Sequence, residues 1–511
     1  MIRRLRILLA TVFFVGIILM FVDYTGPLYK LLSWMAKIQF WPALTSATLI
    51  GVACAAIVII MTVLLGRIYC STICPLGVFQ DIVARMSLKL RHGKYTYSKA
   101  KQWCRYSFLI LMIILFPLGM SSILAPYSAF GRILNTMVHP LYIWCNNILA
   151  DLAESMDSYM LYHVDMVHTS ALTFGVAIAT LIIIGSLSAK GGRTYCNTVC
   201  PVGTILSLFA RFSFLKIHID TDKCKNCGKC VRSCKASCID LKSHQIDYSR
   251  CVVCGNCLEQ CEFLALEYGY QSKDGFNAIA RGMKPTRRRE EKIAADSEKK
   301  HTDTSRRGFL LSMAMATTAA VLAQEKKKVD GGLAAIEDKQ APKRKTPILP
   351  PGAVSMQHMS HHCTACQLCI SASPNRVLRP STSLDHLMQP VCGYEVGYCR
   401  PECHACSSVC PAGAIHDIGL ERKVSTKVGT AVFLHKNCLA LSQEADCGLC
   451  AEHCPAGAIT MVYTDPDDET SPRMPSVDES RCIGCGACEN MCPARPFSAI
   501  YVEGIEVQRE V

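Results

Sequence analysis

Cysteines recur along this chain at spacings that let several thiolates face one inorganic centre. Cys224-x2-Cys227-x2-Cys230-x3-Cys234 comes first, followed by Cys251-x2-Cys254-x2-Cys257-x3-Cys261. Four further runs lie near the C-terminus: Cys363-x2-Cys366-x2-Cys369, then Cys399-x3-Cys403-x2-Cys406-x3-Cys410, then Cys438-x8-Cys447-x2-Cys450-x3-Cys454, then Cys482-x2-Cys485-x2-Cys488-x3-Cys492. Such spacing presents three thiolates to one four-iron cube and a fourth to its neighbour. Cysteines two residues apart rarely suit a disulfide framework, and zinc seldom needs a third cysteine two residues on. The expected cofactor is the [4Fe–4S] cluster, six in all.

The first two runs resemble a bacterial two-cluster ferredoxin, in which the fourth cysteine of each run serves the other cube. That resemblance implies Cys224, Cys227, Cys230 and Cys261 on one cube, and Cys251, Cys254, Cys257 and Cys234 on the second. The proline usual after the fourth cysteine is replaced by Lys235 and Glu262. Cys238 is left over and reads as a spare buried thiol. Of the four later runs, the first has Ser373 before Pro374 where a cysteine is expected. Residues 352–511 hold sixteen cysteines, enough for four cubes only if Cys392 is used. The vacancy is filled by Cys392, by the Ser373 oxygen, or not at all in a three-iron cluster; Cys392 is otherwise incidental.

A different motif occurs twice: Gly66-Arg67-Ile68-Tyr69-Cys70-x3-Cys74-Pro75 and Gly192-Arg193-Thr194-Tyr195-Cys196-x3-Cys200-Pro201. Gly and Pro suit a repeated helix-ending turn. Two cysteines at identical spacing in both copies call for more. Brought together by pseudo-symmetry, Cys70, Cys74, Cys196 and Cys200 offer four thiolates, enough for one further cluster; a redox-active dithiol is the other chemistry open to them. Cys54, Cys104 and Cys145 stand alone and read as packing residues.

What must position these groups is a membrane domain. Half of the 511 residues are hydrophobic and only 19% are charged, a balance that fits membrane spans with soluble attachments. Four apolar stretches, near 5–22, 43–66, 106–126 and 170–189, approach the ~17–25 residues that cross a bilayer. Basic residues cluster before the first and between the second and third, whereas residues 127–169 hold Arg132 as their one Lys or Arg. The positive-inside rule therefore puts the N-terminus and residues 67–105 in the cytoplasm, and 127–169 outside. The net charge of +13 is topogenic on this reading, and no nucleic-acid partner is expected. The expected fold is an α-helical membrane domain of four transmembrane helices, with a possible fifth, plus two α+β ferredoxin-like polycluster domains. Its units are the membrane domain at 1–215, a cytoplasmic two-cluster domain at 216–275, a charged linker at 276–304, residues 305–324, a linker at 325–351, and the four-cluster domain at 352–511. Ser305-Arg306-Arg307-Gly308-Phe309-Leu310 and the apolar run to Ala323 resemble a twin-arginine export signal, either an anchor or a removed leader. A signal there sends 352–511 to the periplasm, folded and loaded.

Across nearly the whole chain these features resemble a known family. Residues 1–270 are similar to the membrane-bound polyferredoxin of periplasmic nitrate reductase systems (NapH type), and 300–511 to its exported four-cluster partner (NapG type), here fused. The resemblance implies an electron-transfer component of a quinol dehydrogenase-type oxidoreductase in the bacterial inner membrane. Electrons would pass from the quinol pool to a periplasmic reductase or electron carrier. Related four-run proteins pair the first run with the fourth and the second with the third. That implies Cys363, Cys366, Cys369 and Cys492 on one cube, Cys482, Cys485 and Cys488 on the deficient one, and the middle cubes on Cys399, Cys403, Cys406, Cys454 and on Cys438, Cys447, Cys450, Cys410. No dinucleotide fingerprint, flavin motif, C-x-x-C-H haem site or catalytic triad is present, so no catalytic residue is assigned. An electron donor for metal-centre or oxidase maturation is the alternative; a redox sensor lacks an output domain.

Overall fold

The computed structural model describes residues 2–22, 27–91, 94–117, 119–120, 123–158, 160, 163–164, 170–272, 275–281, 337–442 and 446–511. The expected signal at 305–324 lies outside them, as do most of the 276–304 linker and residues 325–336.

Four long helices form the first part of the chain. They are α1 (Ile2–Val22), α4 (Leu49–Leu65), α7 (Gln102–Leu115) and α10 (Ala171–Gly191). Between them lie α2 (Pro27–Lys37), α3 (Phe40–Thr45), α5 (Tyr69–Thr72), α6 (Pro75–Arg91), α8 (Pro126–Ile133) and α9 (His139–Glu154); α11 (Thr194–Thr198) and α12 (Pro201–Ala210) follow. The long helices bear apolar side chains on all sides, among them the exposed Leu8, Val12, Ile57, Ile60, Ile110, Ile113 and Ile182. An apolar belt this extensive is foreign to an aqueous surface.

Four spans were expected, and among the described residues two helices, α1 and α10 at 21 residues each, are long and apolar enough to cross a membrane. The other two are shorter, for local reasons. The stretch 43–66 breaks where Ala47 adopts φ +49°, which leaves α3 as a separate helix. The helix expected at 106–126 starts earlier, at Gln102, and stops at Leu115, two residues before Pro117. Helices of 17 and 14 residues reach about 25 and 21 Å. The expected outer loop 127–169 is also largely helical. Tyr127–Ile133 is buried throughout, and Arg132, read as a loop charge, is 1% exposed.

Both cysteine-rich modules pack on this bundle, at opposite ends of its long helices. At one end sits a three-stranded antiparallel sheet, β1 (Lys216–Ile219) beside β4 (Leu266–Ser272) beside β5 (Gly275–Arg281), with the hairpin β2 (Ile239–Asp240) and β3 (Gln245–Ile246) and the short helices α13 (Lys229–Ser233) and α14 (Asn256–Gln260). The paired strand β5 carries this module past the expected boundary at 275, to Arg281. Arg3, at the start of α1, pairs with Glu259. Arg105, at the start of α7, donates to Ser249 Oγ at 3.2 Å. The ends of α4 and α10 meet the same module: Val253 crowds Gly66, and Arg193 N–H donates to Lys235 O at 2.8 Å.

The other module holds α15 (Met356–His362), α16 (Leu368–Ser371), the hairpin β6 (Leu378–Pro380) and β7 (Pro390–Cys392), α17 (Ala405–Ser408), and β8 (Thr426–Phe433) paired with β11 (Ile500–Glu510). It also holds α18 (Leu449–Glu452), β9 (Ile459–Tyr463) against β10 (Arg473–Val477), and α19 (Ala487–Met491). It starts before 352, because Lys339 Nζ donates to the carbonyls of Glu489, Asn490 and Cys492 at 2.7, 2.8 and 2.9 Å. Its contacts lie at the opposite helix ends. His362 Nδ1 is 2.7 Å from Thr45 O, just before α4, and Gly119, after α7, lies against Ser360. Gly131 of α8 lies between the Cys366 carbonyl and Phe21 near the end of α1.

Candidate metal centres

The C-x2-C-x2-C loops share one backbone device. In each, the residue before the second cysteine and the residue after it are left-handed: Asn226 and Gly228 (φ 50° and 70°), Val253 and Gly255 (47° and 73°), Ala365 and Gln367 (46° and 64°), Gly484 and Gly486 (75° and 81°). Such alternation turns successive N–H groups into a concavity suited to an anion. A left-handed Val, as at 253, is costly for a β-branched residue and persists only where its surroundings impose it. A short helix follows each loop.

In the module at 216–281, α13 packs on α14, and the thiols lie in two neighbouring groups. Cys230 shares its surroundings with Cys224, Cys227 and Cys261, while Cys257 shares its own with Cys251, Cys254 and Cys234. Cys261 Sγ accepts from Ala265 N–H at 3.3 Å. Cys238 is a buried thiol 3.6 Å from Cys234 Sγ.

In the other module the grouping differs from the nested one. Helix α16 packs on α17, and α18 on α19, so the first run pairs with the second and the third with the fourth. Cys363, Cys366 and Cys369 face Cys410; Cys482, Cys485 and Cys488 face Cys454; Cys447 and Cys450 face Cys492. Cys438 is buried at the start of the third run. Cys392 is 5% exposed and faces Cys399 and Cys406, in the fourth place of the second group. The β6–β7 pairing, Leu378 opposite Cys392, returns it there. Ser373 ends the turn after α16, its N–H on Ile370 O. The two pairs join where Cys399 N–H donates to Cys485 O at 3.0 Å. Lys423, 5% exposed, lies beside Cys399 and Cys406, a fixed cation that sequence reasoning missed.

The paired motifs also meet. Cys70, Cys74, Cys196 and Cys200 are each 4–5% exposed, and every one lies within electrostatic reach of the other three. Gly66 (φ +81°) and Gly192 (φ +67°) end α4 and α10. Each following arginine then crosses to the other copy. Arg67 Nη2 donates to Cys196 O at 3.3 Å, and Arg193 Nη1 donates to Cys70 O. A Cβ on Gly77 or Gly203 would overlap those same carbonyls. Gln80 Nε2 is 3.2 Å from Cys196 Sγ. Both guanidiniums are fully buried.

Asp81 joins this site to the module at 216–281, with Arg193 Nε at 2.7 Å, Arg6 at 3.2 Å, and Lys235. Burial alone would push the Asp81 carboxyl up, but Arg193 and Lys235 more than offset it and hold it well below the usual carboxylate range. No sequence signal marked this residue, a lone acid on an amphipathic helix.

The donor sets fit iron–sulfur cubes. Burial pushes the Cys230, Cys366 and Cys450 thiols up to about 11 and Cys485 to about 12, so a bound cationic centre is what would favour their thiolate forms. Among the described residues no three His, Cys, Asp or Glu side chains close on a single ion. A cube spreads its four thiolates over different irons. At the paired motifs burial raises the Cys74, Cys196 and Cys200 thiols, and Arg193, joined by Arg67 at Cys196, offsets only part of that at Cys74 and Cys196.

A family model described as a 4Fe–4S binding domain matches residues 47–94, 171–219 and 406–429, and a second, described as a 4Fe–4S dicluster domain, matches 445–495. The first two matches each take in one long helix and one copy of the paired motif. The chain is 27% identical over 192 residues to the ferredoxin-type protein NapH of Haemophilus influenzae, which is 37% of this chain and 53% of that protein. It is 25% identical over 171 residues to the methylamine utilization ferredoxin-type protein MauN of Methylobacillus flagellatus, 33% of this chain and 48% of that one. It is 23% identical over 185 residues to the putative electron transport protein YccM of Escherichia coli, 34% of this chain and 43% of that one. The chain thus spans about half the length of the curated relatives it matches. No solved structure matches it. This chain carries 4Fe–4S binding domains and is similar to ferredoxin-type proteins, NapH among them.

Proposed function

We propose that the protein conducts electrons from quinol, across the bacterial inner membrane region it occupies, to a periplasmic reductase or electron carrier. The observation that carries this reading is the linear arrangement of thiol groups. Cys224–Cys261 lie at one end of the helical bundle, Cys70, Cys74, Cys196 and Cys200 beside them, and Cys363–Cys492 at the other end. Each four-iron cube, when bound, takes up and passes on one electron.

In this reading six cubes occupy the two modules and a seventh the paired motifs. Cys224, Cys227, Cys230 and Cys261 hold the first, and Cys234, Cys251, Cys254 and Cys257 the second. Cys70, Cys74, Cys196 and Cys200 hold the third, with Arg67 and Arg193 as fixed counter-charges. On the far side come Cys363, Cys366, Cys369 and Cys410, then Cys392, Cys399, Cys403 and Cys406, then Cys454, Cys482, Cys485 and Cys488, and last Cys438, Cys447, Cys450 and Cys492. Arg132, buried between Tyr195 of the second motif copy and Cys366, helps hold the two sides in register. The short helices α4 and α7 share the apolar belt of α1 and α10, which supports four membrane-embedded helices. The module at 216–281 is then cytoplasmic and the one at 337–511 periplasmic.

Anaerobic redox titration followed by electron paramagnetic resonance, with and without a quinol analogue, tests this. Quinol-dependent reduction of cubes is expected. Cubes reducible by dithionite alone would point instead to a donor other than quinol.

A further inference from the structure

Helix α15 carries His358 and His362 one turn apart, on one face. Their ring centroids lie 4.4 Å apart, and His416, from the turn after Cys410, brings a third imidazole to 4.9 Å from His358. None of the three belongs to a cysteine run.

One nitrogen of each helical imidazole is already engaged. His358 Nε2 is 3.2 Å from Gly413 O, and His362 Nδ1 is 2.7 Å from Thr45 O. A carbonyl only accepts, so these nitrogens carry the proton, and in the neutral rings His358 Nδ1 and His362 Nε2 keep a lone pair. A backbone carbonyl on the far ring nitrogen is the usual outer partner of a metal-bound histidine. Burial lowers the His358 pKa, its bond to Gly413 O opposes that, and the neighbouring His362 and His416 add to the lowering. Neutral imidazole is the form that metals take up.

The spacing agrees. Two imidazoles on one zinc ion, each nitrogen about 2.0–2.1 Å from it, have ring centres roughly 4.5–5 Å apart. Histidines in the last turn of a helix also suit its C-terminal carbonyls, but that role needs no third ring from another segment. His416 N–H donates to Gly352 O at 2.8 Å, which fixes its backbone, while its side chain is exposed. Among the described residues no three such groups already close on one ion; rotation of the exposed His416 side chain supplies that closure.

Imidazole ligands suit zinc, copper and nickel. We propose that His358 Nδ1, His362 Nε2 and the His416 ring bind one zinc-class divalent cation, with water completing a tetrahedral shell. The ion ties α15 to the turn after Cys410, where His362 and Gly413 meet Thr45 and Ser46 of the helical bundle.

The test uses the full chain, purified anaerobically with its clusters, and zinc itself as the probe. Equilibrium dialysis against zinc-65 should give one zinc per chain. His358→Ala and His416→Ala should each weaken it by at least about tenfold, since even an outer partner of a metal ligand is worth 10–100-fold. Iron content should not change, and His453→Ala, an exposed histidine elsewhere in the module, should bind as the parent does. His416→Ala decides the matter if His358→Ala loses iron. X-ray absorption at the zinc edge should show nitrogen and oxygen neighbours near 2.0–2.1 Å. Sulfur neighbours at about 2.3 Å, parental affinity in His416→Ala, or a parent chain that binds no zinc would each overturn the site.

Discussion

The two cysteine-rich modules are fastened to the same helical bundle by different physics. The one at 216–281 is held by charge: Asp81 gathers Arg6, Arg193 and Lys235, Arg3 meets Glu259, and Arg67 and Arg105 reach Ser249. The one at 337–511 is held by close backbone approach, with Gly119 on Ser360, Gly131 on Cys366, Gly413 on Ser46, and Ser128 donating to Thr364 O. Sequence distance gives the reason. The first module follows α12 within six residues, so its effective concentration at the bundle is high. Long side chains that lose entropy on pairing are tolerable there. The second returns from residues 282–336 away, and shape must specify its seat.

The largest expected effect separates how the modules close their cubes. In the proposed assignment the runs of the first module supply every ligand, whereas the second module borrows Cys392 from a hairpin. Cys392→Ala should remove a cluster or leave a three-iron one, a loss of about one to four of the ~28 irons of seven cubes. Iron analysis with electron paramagnetic resonance checks it, and an unchanged spectrum would return Cys392 to a packing role.

Next is Asp81→Asn, which leaves three cations around a neutral group. Breaking a buried pair of this kind costs about 3–5 kcal/mol, here concentrated on the charged joint. Denaturant unfolding should show it, and proteolysis should release the 216–281 module first. Because the carboxyl is held below its ordinary range, its stabilisation is fully present above the unfolded value of about 3.9 and is lost only as the pH falls through the lowered one. An acid-induced loosening at pH 5–6 would speak against Asp81 as the anchor.

Gly131→Val attacks the other joint. Its new side chain meets the Cys366 carbonyl and the Phe21 ring, an overpacking worth about 1–3 kcal/mol. The expected outcome is proteolytic exposure of the 337–511 module with the 216–281 joint intact. The smallest effect belongs to Glu259→Gln, since Arg3 and Glu259 remain about a quarter exposed and such pairs contribute roughly 0–1 kcal/mol. A cost comparable to that of Asp81→Asn would mean the charge joint is not centred on Asp81.

What the sequence made legible was whatever is local. The C-x2-C-x2-C loops place three thiols within seven residues, and the duplicated Gly-Arg-x-Tyr-Cys motif carries its own symmetry. Contacts made across the chain were hidden. Cys392 joins the second run only through the β6–β7 pairing, and run order could not tell nested from adjacent pairing. Arg132 looked like an outer-loop charge because charge counts carry no information on burial. Hydropathy likewise ran α3 into α4, since Ala47 breaks the helix by conformation rather than by polarity.

The central claim is that the two modules lie on opposite faces of the membrane. Protease treatment of right-side-out spheroplasts tests it directly, with one tag inserted after Glu290 and another at Val511. The account predicts that the Val511 tag is cut while the Glu290 tag is protected, and that Arg306→Lys with Arg307→Lys protects both. Protection of both tags in the unaltered chain, indifferent to those arginines, would put every cluster in the cytoplasm and contradict it.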